Sequence, residues 1–244
     1  MGSVIIDGRK IAEEILTEIG DSLRGRRLGI VVGSSDPATE SFIRIKARIA
    51  SRLGVEVVHA EFSELLSSCD GIIVQLPIPN AEELLAQLPA DKDVDAIGFH
   101  PRVRPPVAGA VAEVLARSGV QVSGRKVVIV GAGRLVGKPA AKMLGQMGGK
   151  VVVITTEQGS LSQLADADIV VLGAGEPGLI KPSMLKKGVV LIDAGTSEAR
   201  GKVAGDADPA CAEVASVFTP VPGGIGPIAV AMIFKNLFEL VSKK

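Results

Sequence analysis

The chain contains no tryptophan and no tyrosine, and its aromatic residues are six phenylalanines. A surface that reads unpaired bases by stacking needs more rings than that, which excludes a single-strand nucleic-acid platform. Cysteine is scarce as well: Cys69 and Cys211 make neither a disulfide framework nor the spacing of a metal site. His59 and His100 are the only histidines, so a zinc centre or a Ser-His-Asp triad has little material, and no metal is expected. Neither charge sign is in excess, since 27 Lys and Arg offset 27 Asp and Glu. No global positive field exists to draw in nucleic acid or an anionic membrane. The opening MGSVIIDGRK lacks the apolar core of a signal peptide, and no apolar run is expected to reach the ~18 residues of a membrane span. These absences leave a soluble, cytoplasmic protein as the expectation.

What is present is 47% hydrophobic residues and 29 glycines in 244 residues, a composition that suits one large or two small compact α/β domains. Short apolar runs alternate with helical patterns nearly throughout. LGIVVG (28–33), VEVVHA (55–60), DGIIVQL (70–76), KVVIVG (126–131), KVVVIT (150–155), ADIVVLG (167–173) and GVVLIDAG (188–195) read as buried parallel strands. Helical patterns over 37–53, 111–120 and 138–147 lie between them, which gives a doubly wound α/β architecture. PRVRPPVAG (101–109) interrupts both periodicities and marks a boundary between two domains of similar size. A final helix within 225–244 can pack on either domain.

VVIVGAGRLVGKP (127–139) reads as a strand, a glycine-rich turn and a helix start. Gly131 and Gly133 permit a tight turn and close backbone approach, and Gly137 lets the helix lie against the strand. A dinucleotide pyrophosphate would sit over Gly131, Ala132, Gly133, Arg134, Leu135, Val136 and Gly137, on the amides of the helix N-terminus. The spacing is GxGxxxG, which a ligand-free strand-to-helix turn also fits. Glu157 lies 20 residues beyond Gly137, where an acid either accepts hydrogen bonds from the adenosine ribose or is a solvated loop carboxylate. On the first reading it repels a 2′-phosphate and favours NAD over NADP, although Arg134 could bind a phosphate. Gly173, at the end of its strand run, completes the expected cofactor set.

The 37–53 helix begins with Asp36 as N-cap and Pro37 at its first position, and Gly54 closes it. At 100° per residue, Phe42, Ile45, Ile49 and Leu53 form an apolar stripe, with Arg44, Arg48 and Arg52 on a solvated ridge opposite. Lys46 projects beside the stripe. It either carries its ammonium to solvent or enters a cleft, where a desolvated amine suits acid–base chemistry.

Three segments, DGIIVQLPIPN (70–80), DKDVDAIGFHP (91–101) and TPVPGGIGPIAVAMIFKN (219–236), together resemble the bifunctional methylenetetrahydrofolate dehydrogenase/methenyltetrahydrofolate cyclohydrolase family. IIDGRKIA (5–12), VGSSDPATESFIRIK (32–46), VGKP (136–139), VVLIDAGTS (189–197) and VAGDAD (203–208) extend the resemblance over most of the chain. It implies that Lys46 is catalytic, Gln75 positions it and Asp95 holds the pterin ring. Phe42, Pro222, Gly223 and Gly224 would border the substrate, and Gly226 and Pro227 would shape the same corner. It also implies a catalytic domain over 1–107, rejoined by the helix 225–244, and a Rossmann-type NAD(P)-binding domain over 108–224. Between them the family has its cleft. Its members are typically homodimers that oxidise 5,10-methylenetetrahydrofolate to the methenyl form and hydrolyse that to 10-formyltetrahydrofolate. Two other readings stay open: a monofunctional dehydrogenase, with a methanopterin-like carrier as one option, and a catalytically silent nucleotide-binding protein.

The chain departs from the family pattern in four places. Phe42 stands where the family has a tyrosine, which removes a hydroxyl one helical turn before Lys46 and touches the hydrolytic step most. Ala132 and Gly133 replace an Arg-Ser pair associated with the NADP 2′-phosphate, so NAD is favoured. The segments between His100 and Arg104 and before Asp70 are shorter than in typical members.

Overall fold

The computed structural model describes residues 2–33, 37–199 and 202–243, so Asp36, the expected N-cap, lies outside the described residues. In chain order the first elements are β1 (Val4–Ile5), α1 (Gly8–Ile19), β2 (Arg27–Val32), α2 (Pro37–Arg52), β3 (Glu56–Val58) and α3 (Phe62–Ser68). They are followed by β4 (Gly71–Gln75), α4 (Ala81–Gln87), α5 (Pro106–Arg117), β5 (Lys126–Val130), α6 (Gly137–Gln146) and β6 (Lys150–Ile154). Then come β7 (Ile169–Leu172), β8 (Val190–Asp193), a β9 (Ser197–Ala199) and β10 (Lys202–Ala204) hairpin, β11 (Val217–Thr219) and α7 (Ile225–Ser242).

These elements form two compact units. Residues up to Ile11 together with Val107–Ala229 make one, and Ala12–Pro106 with the chain from Val230 onward make the other. The expected first domain of 1–107 therefore loses its opening segment. The cause is strand pairing: β1 joins β11 in parallel, Val4 opposite Val217, and Gly8 donates its N–H to the Gly223 carbonyl at 2.9 Å.

The first unit holds a six-stranded sheet in the order β1-β11-β8-β7-β5-β6, whose named pairs are all parallel. Its central strands are buried on both faces, as near-continuous Val/Ile/Leu runs require: every residue of β7 and β8 is buried. Val128, Val130, Leu172, Leu191 and Phe218 share one core cluster on this sheet. The chain lays β6 on one side of β5 and β7 on the other, which makes the carboxyl ends of β5 and β7 the topological switch point.

The second unit holds a parallel sheet in the order β3-β2-β4. The run 55–60 yields only the short strand β3, at the sheet edge. Leu65, Cys69, Ile72, Val74 and Leu85 pack on one of its faces. Gly71 opens β4 because a Cβ there would fall 2.6 Å from Val94 and 2.7 Å from Leu237 of α7.

α7 corrects one expectation, since its 18 residues are long and apolar enough, by length and composition, to cross a membrane. It carries Lys235, Asn236 and Glu239 within that span, and it buries Ile228, Ala231, Phe234, Leu237 and Leu240 in the protein. Those are the features of a core helix.

Candidate active site

α2 turns a different face inward from the one its apolar residues mark. Thr39, Lys46 and Ala50 are buried, whereas Phe42 is 42% exposed and Ile45 is 43% exposed; of the predicted stripe Leu53, just past the end of α2, is buried. The buried face is rotated by roughly a quarter turn from the predicted stripe. A lysine tolerates such a place when its ammonium has an acceptor. Here Lys46 Nζ donates to Gln75 Oε1 at 2.8 Å, and Lys46 is only 7% exposed. Of the two fates open to Lys46 from its spacing, the structure shows the buried one.

Gln75 is the last residue of β4, and its Nε2 donates to the neighbouring Leu76 carbonyl at 3.1 Å. That second bond fixes the amide so that its oxygen faces Lys46. Arg44 and Arg48 are exposed, as the ridge predicts, and Arg52 makes a two-pronged ion pair with Glu13 of α1.

Asp95 sits on a strap that runs beside β4. Ile72 donates its N–H to the Lys92 carbonyl at 2.7 Å, and Ile72 bridges to Asp93 in parallel register. The buried Asp93 carboxylate accepts N–H groups from Gly98 at 2.8 Å and Ile97 at 3.3 Å, closing the turn after Asp95. Burial pushes the Asp93 carboxyl upward, against those two N–H donors. On the other side, Asn236 of α7 donates to the carbonyls of Val94 and Arg104, both at 2.8 Å. The Asp95 carboxyl is likewise pushed up by burial, with the Lys46 charge pulling it down. Lys46, Gln75 and Asp95 thus belong to one unit, and the first two touch.

Asp93 and Asn236 were not singled out by sequence pattern. For Asn236 the available signal was an amide within a largely apolar helix; Asp93 lies in the charged run DKDVD (91–95), where sequence does not mark which acid is buried. Such groups need partners, and here the partners are backbone atoms.

The dinucleotide turn lies in the six-stranded unit. Gly131 has φ +97°, and a Cβ on it would fall 2.4 Å from the Gly173 oxygen. A Cβ on Gly137 would lie 1.9 Å from the Gly131 oxygen, and one on Gly173 would lie 2.4 Å from Cγ1 of Val136. The three glycines are therefore what lets β5, β7 and α6 meet. At Gly133, by contrast, a Cβ would meet nothing within 4 Å, so the backbone there is open to approach. Val136, the residue preceding α6, provides no side-chain cap for the helix amides. The Lys138 N–H donates to the Gly133 carbonyl at 3.1 Å and Pro139 has none, so the open glycine backbone ahead of the helix is the part that fits a pyrophosphate. Gly133, Arg134, Leu135 and Lys138 are exposed around it, and Ala132 is half-buried.

Glu157 lies in the exposed turn beyond β6, where Thr155 Oγ1 accepts the Glu157 and Gln158 N–H groups. Pro222, Gly223 and Gly224 also belong to the six-stranded unit. Gly223 has φ +108°, and a Cβ on Gly8 would lie 1.8 Å from the Gly224 oxygen, which packs this corner onto the start of α1. Among the described residues, no group of three or more His, Cys, Asp or Glu is placed to hold a metal ion.

Residues 105–244 match the family model for the NAD(P)-binding domain of tetrahydrofolate dehydrogenase/cyclohydrolase. The chain is 34% identical over 272 aligned positions to the bifunctional protein FolD of Halothermothrix orenii, covering 95% of each chain. That alignment is longer than the chain's 244 residues, so the relative carries residues this chain lacks. The FolD structure of Trypanosoma brucei, in complex with NADP cofactor and inhibitor, superimposes with a TM-score of 0.91 at 27% identity, covering 100% and 98% of the two chains. The Campylobacter jejuni FolD structure does so with the same TM-score and identity, covering 99% of each. The chain belongs to the tetrahydrofolate dehydrogenase/cyclohydrolase family.

Proposed function

We propose that Lys46, Gln75 and Asp95 form the reaction centre at which this enzyme oxidises 5,10-methylenetetrahydrofolate and hydrolyses the methenyl product to 10-formyltetrahydrofolate. The observation that carries this reading is the 2.8 Å hydrogen bond from Nζ of the buried Lys46 to Oε1 of the half-buried Gln75. A buried amine held by a neutral amide is a proton-handling group kept in place without a competing charge.

Asp95 offers two carboxylate oxygens to the paired N–H groups of the amino-pyrimidinone edge of the pterin. The strap bonds from Asn236 and Asp93 hold it there. Residues 131–137 and Gly173 would hold the nicotinamide dinucleotide, which would supply the two-electron acceptor for the first step. In that step this chain contributes alignment of the one-carbon bridge. In the second, water adds to the methenyl carbon and loses a proton. The bond from that carbon to N5 then breaks as N5 gains a proton and the new hydroxyl gives up its own, which leaves the 10-formyl C=O. Lys46 Nζ is the group placed to carry these protons, and Phe42 has no hydroxyl to share the task. The exposed Phe42 ring borders the substrate.

NAD is the preferred dinucleotide on this reading. Ala132 and Gly133 bring no cation to a 2′-phosphate, and the Glu157 carboxylate repels one. We read the protein as a cytoplasmic homodimer, on the family resemblance, with a folate as its small-molecule partner and no nucleic-acid or membrane partner.

The test supplies tetrahydrofolate with formaldehyde and follows methenyl and reduced-cofactor absorbance with NAD and NADP in parallel. Methenyl should form by turnover, faster with NAD, and then decay above the uncatalysed rate. Absence of methenyl with either dinucleotide overturns the dehydrogenase assignment.

A further inference from the structure

Asp206 is fully buried between the ends of the sheet strands of the six-stranded unit. Its carboxylate takes three consecutive backbone N–H groups: Oδ2 accepts from Ala174 at 2.7 Å and Gly175 at 3.2 Å, and Oδ1 accepts from Glu176 at 2.8 Å. Charge-assisted bonds of this kind are among the stronger ones a backbone can make. Asp206 is itself held, because its carbonyl accepts the Ile180 N–H at 2.9 Å. The space its carboxyl occupies is left by Gly195, where a Cβ would lie 2.3 Å from Asp206 Cγ.

The loop it grips, 174–176, continues directly from β7 through Gly173. Gly173 in turn is packed against both ends of the dinucleotide turn, with its oxygen over Gly131 and its Cα face against Val136. The gripped loop therefore forms the β7 side of the switch point, and the glycine-rich turn forms the β5 side. With all three amides directed to one anion, the peptide planes of the loop have one orientation, and the wall facing the dinucleotide has one shape. Ser197 adds a lesser tie from the hairpin side, donating its hydroxyl to the Gly175 carbonyl at 2.8 Å.

We propose that Asp206 is a positioning residue for the dinucleotide: by gripping residues 174–176 it sets the Gly131–Gly137 turn in its binding shape. This rests on the reading of that turn as the cofactor seat. A residue needed only for folding would depress both activities alike. A positioning residue for the dinucleotide leaves methenyl hydrolysis intact, because hydrolysis consumes water and no dinucleotide.

The experiment uses the full chain with Asp206→Asn, which keeps the shape but turns an NH2 group toward one or more of the loop amides. NADH and NADPH affinity is read from nicotinamide fluorescence, which no tryptophan in this protein obscures. The dinucleotide Kd and KM should rise about tenfold, the order of one lost hydrogen bond to a charged group. Methenyl hydrolysis measured without dinucleotide should stay within about twofold of wild type, on the same scale. An unchanged Kd overturns the proposal, as does a fall in hydrolysis by the same factor as the loss of affinity. If Asp206→Asn does not fold, Ser197→Ala decides: a Kd rise of about threefold, the size of a neutral hydrogen bond, supports the grip, and no change overturns it. Wild-type protein that binds NADH but oxidises no methylenetetrahydrofolate would instead refute the substrate assignment, leaving the Asp206 comparison readable in the binding data.

Discussion

The two units solve their parts of the problem with opposite materials. The three-stranded unit works through side chains: a buried lysine, an amide that orients it and a carboxylate held on a braced strap. The six-stranded unit works through the lack of them, since Gly131, Gly137 and Gly173 clear space where any Cβ would collide with backbone or with Val136. On the proposed function, the difference follows from where the chemistry resides. Protons must be moved by groups that the protein itself carries, whereas a dinucleotide brings its own redox chemistry and asks only for shape and electrostatics.

The largest effect that would sharpen this contrast is Lys46→Met. Methenyl hydrolysis should fall ~10³-fold, within the range for a lost acid–base group, while NADH affinity from nicotinamide fluorescence should not move. A comparable loss of NADH affinity would break the division of labour between the units.

Next in size is a pH effect on stability. Burial pushes the Asp193 carboxyl up from 3.8 to about 6, against N–H donation from Ala207 and Gly195, and the neighbouring Asp206 charge adds to the rise. The folded state therefore binds this proton more tightly than the unfolded one. Its stabilising contribution is complete below the unfolded value of 3.8 and is lost as pH rises through about 6. The change amounts to about 3 kcal/mol at most. Urea midpoints for Asp193→Asn should lose this component of the slope between those limits. Retention of the full wild-type slope would show that the titration belongs elsewhere.

Gly137→Ala should weaken dinucleotide binding ~100-fold, because the new methyl must displace the Gly131 carbonyl in a packed turn. Methenyl hydrolysis should persist in that variant, the mirror image of Lys46→Met. The smallest effect is expected at exposed Glu157. Glu157→Gln should raise kcat/KM with NADP relative to kcat/KM with NAD by about threefold, the scale of a surface charge interaction.

Much of this arrangement is legible in the sequence. The Val/Ile runs mark the central strands of both sheets, and Gly131 and Gly137 fall where close packing demands them. Lys46, Gln75 and Asp95 are indicated by the family pattern. The periodicity of α2 misleads about its buried face, because it counts apolar residues and cannot foresee that Gln75 gives Lys46 an acceptor. Asp93, Asp206 and Asn236 escape detection for a related reason. Their partners are main-chain N–H and C=O groups, which every sequence position offers and only the folded chain selects. Asn236 reaches Val94, 142 positions away, and Asp206 reaches Ala174, 32 positions away.

The pairing of β1 with β11 bears on how the protein can be made. On the ribosome, the first strand must wait for more than two hundred residues to emerge before its neighbour exists. The three-stranded unit likewise waits for α7, whose Leu237 fills the space that Gly71 leaves. A single cut near Pro106 therefore yields no self-sufficient half: one product lacks its last helix, and the other lacks an edge strand.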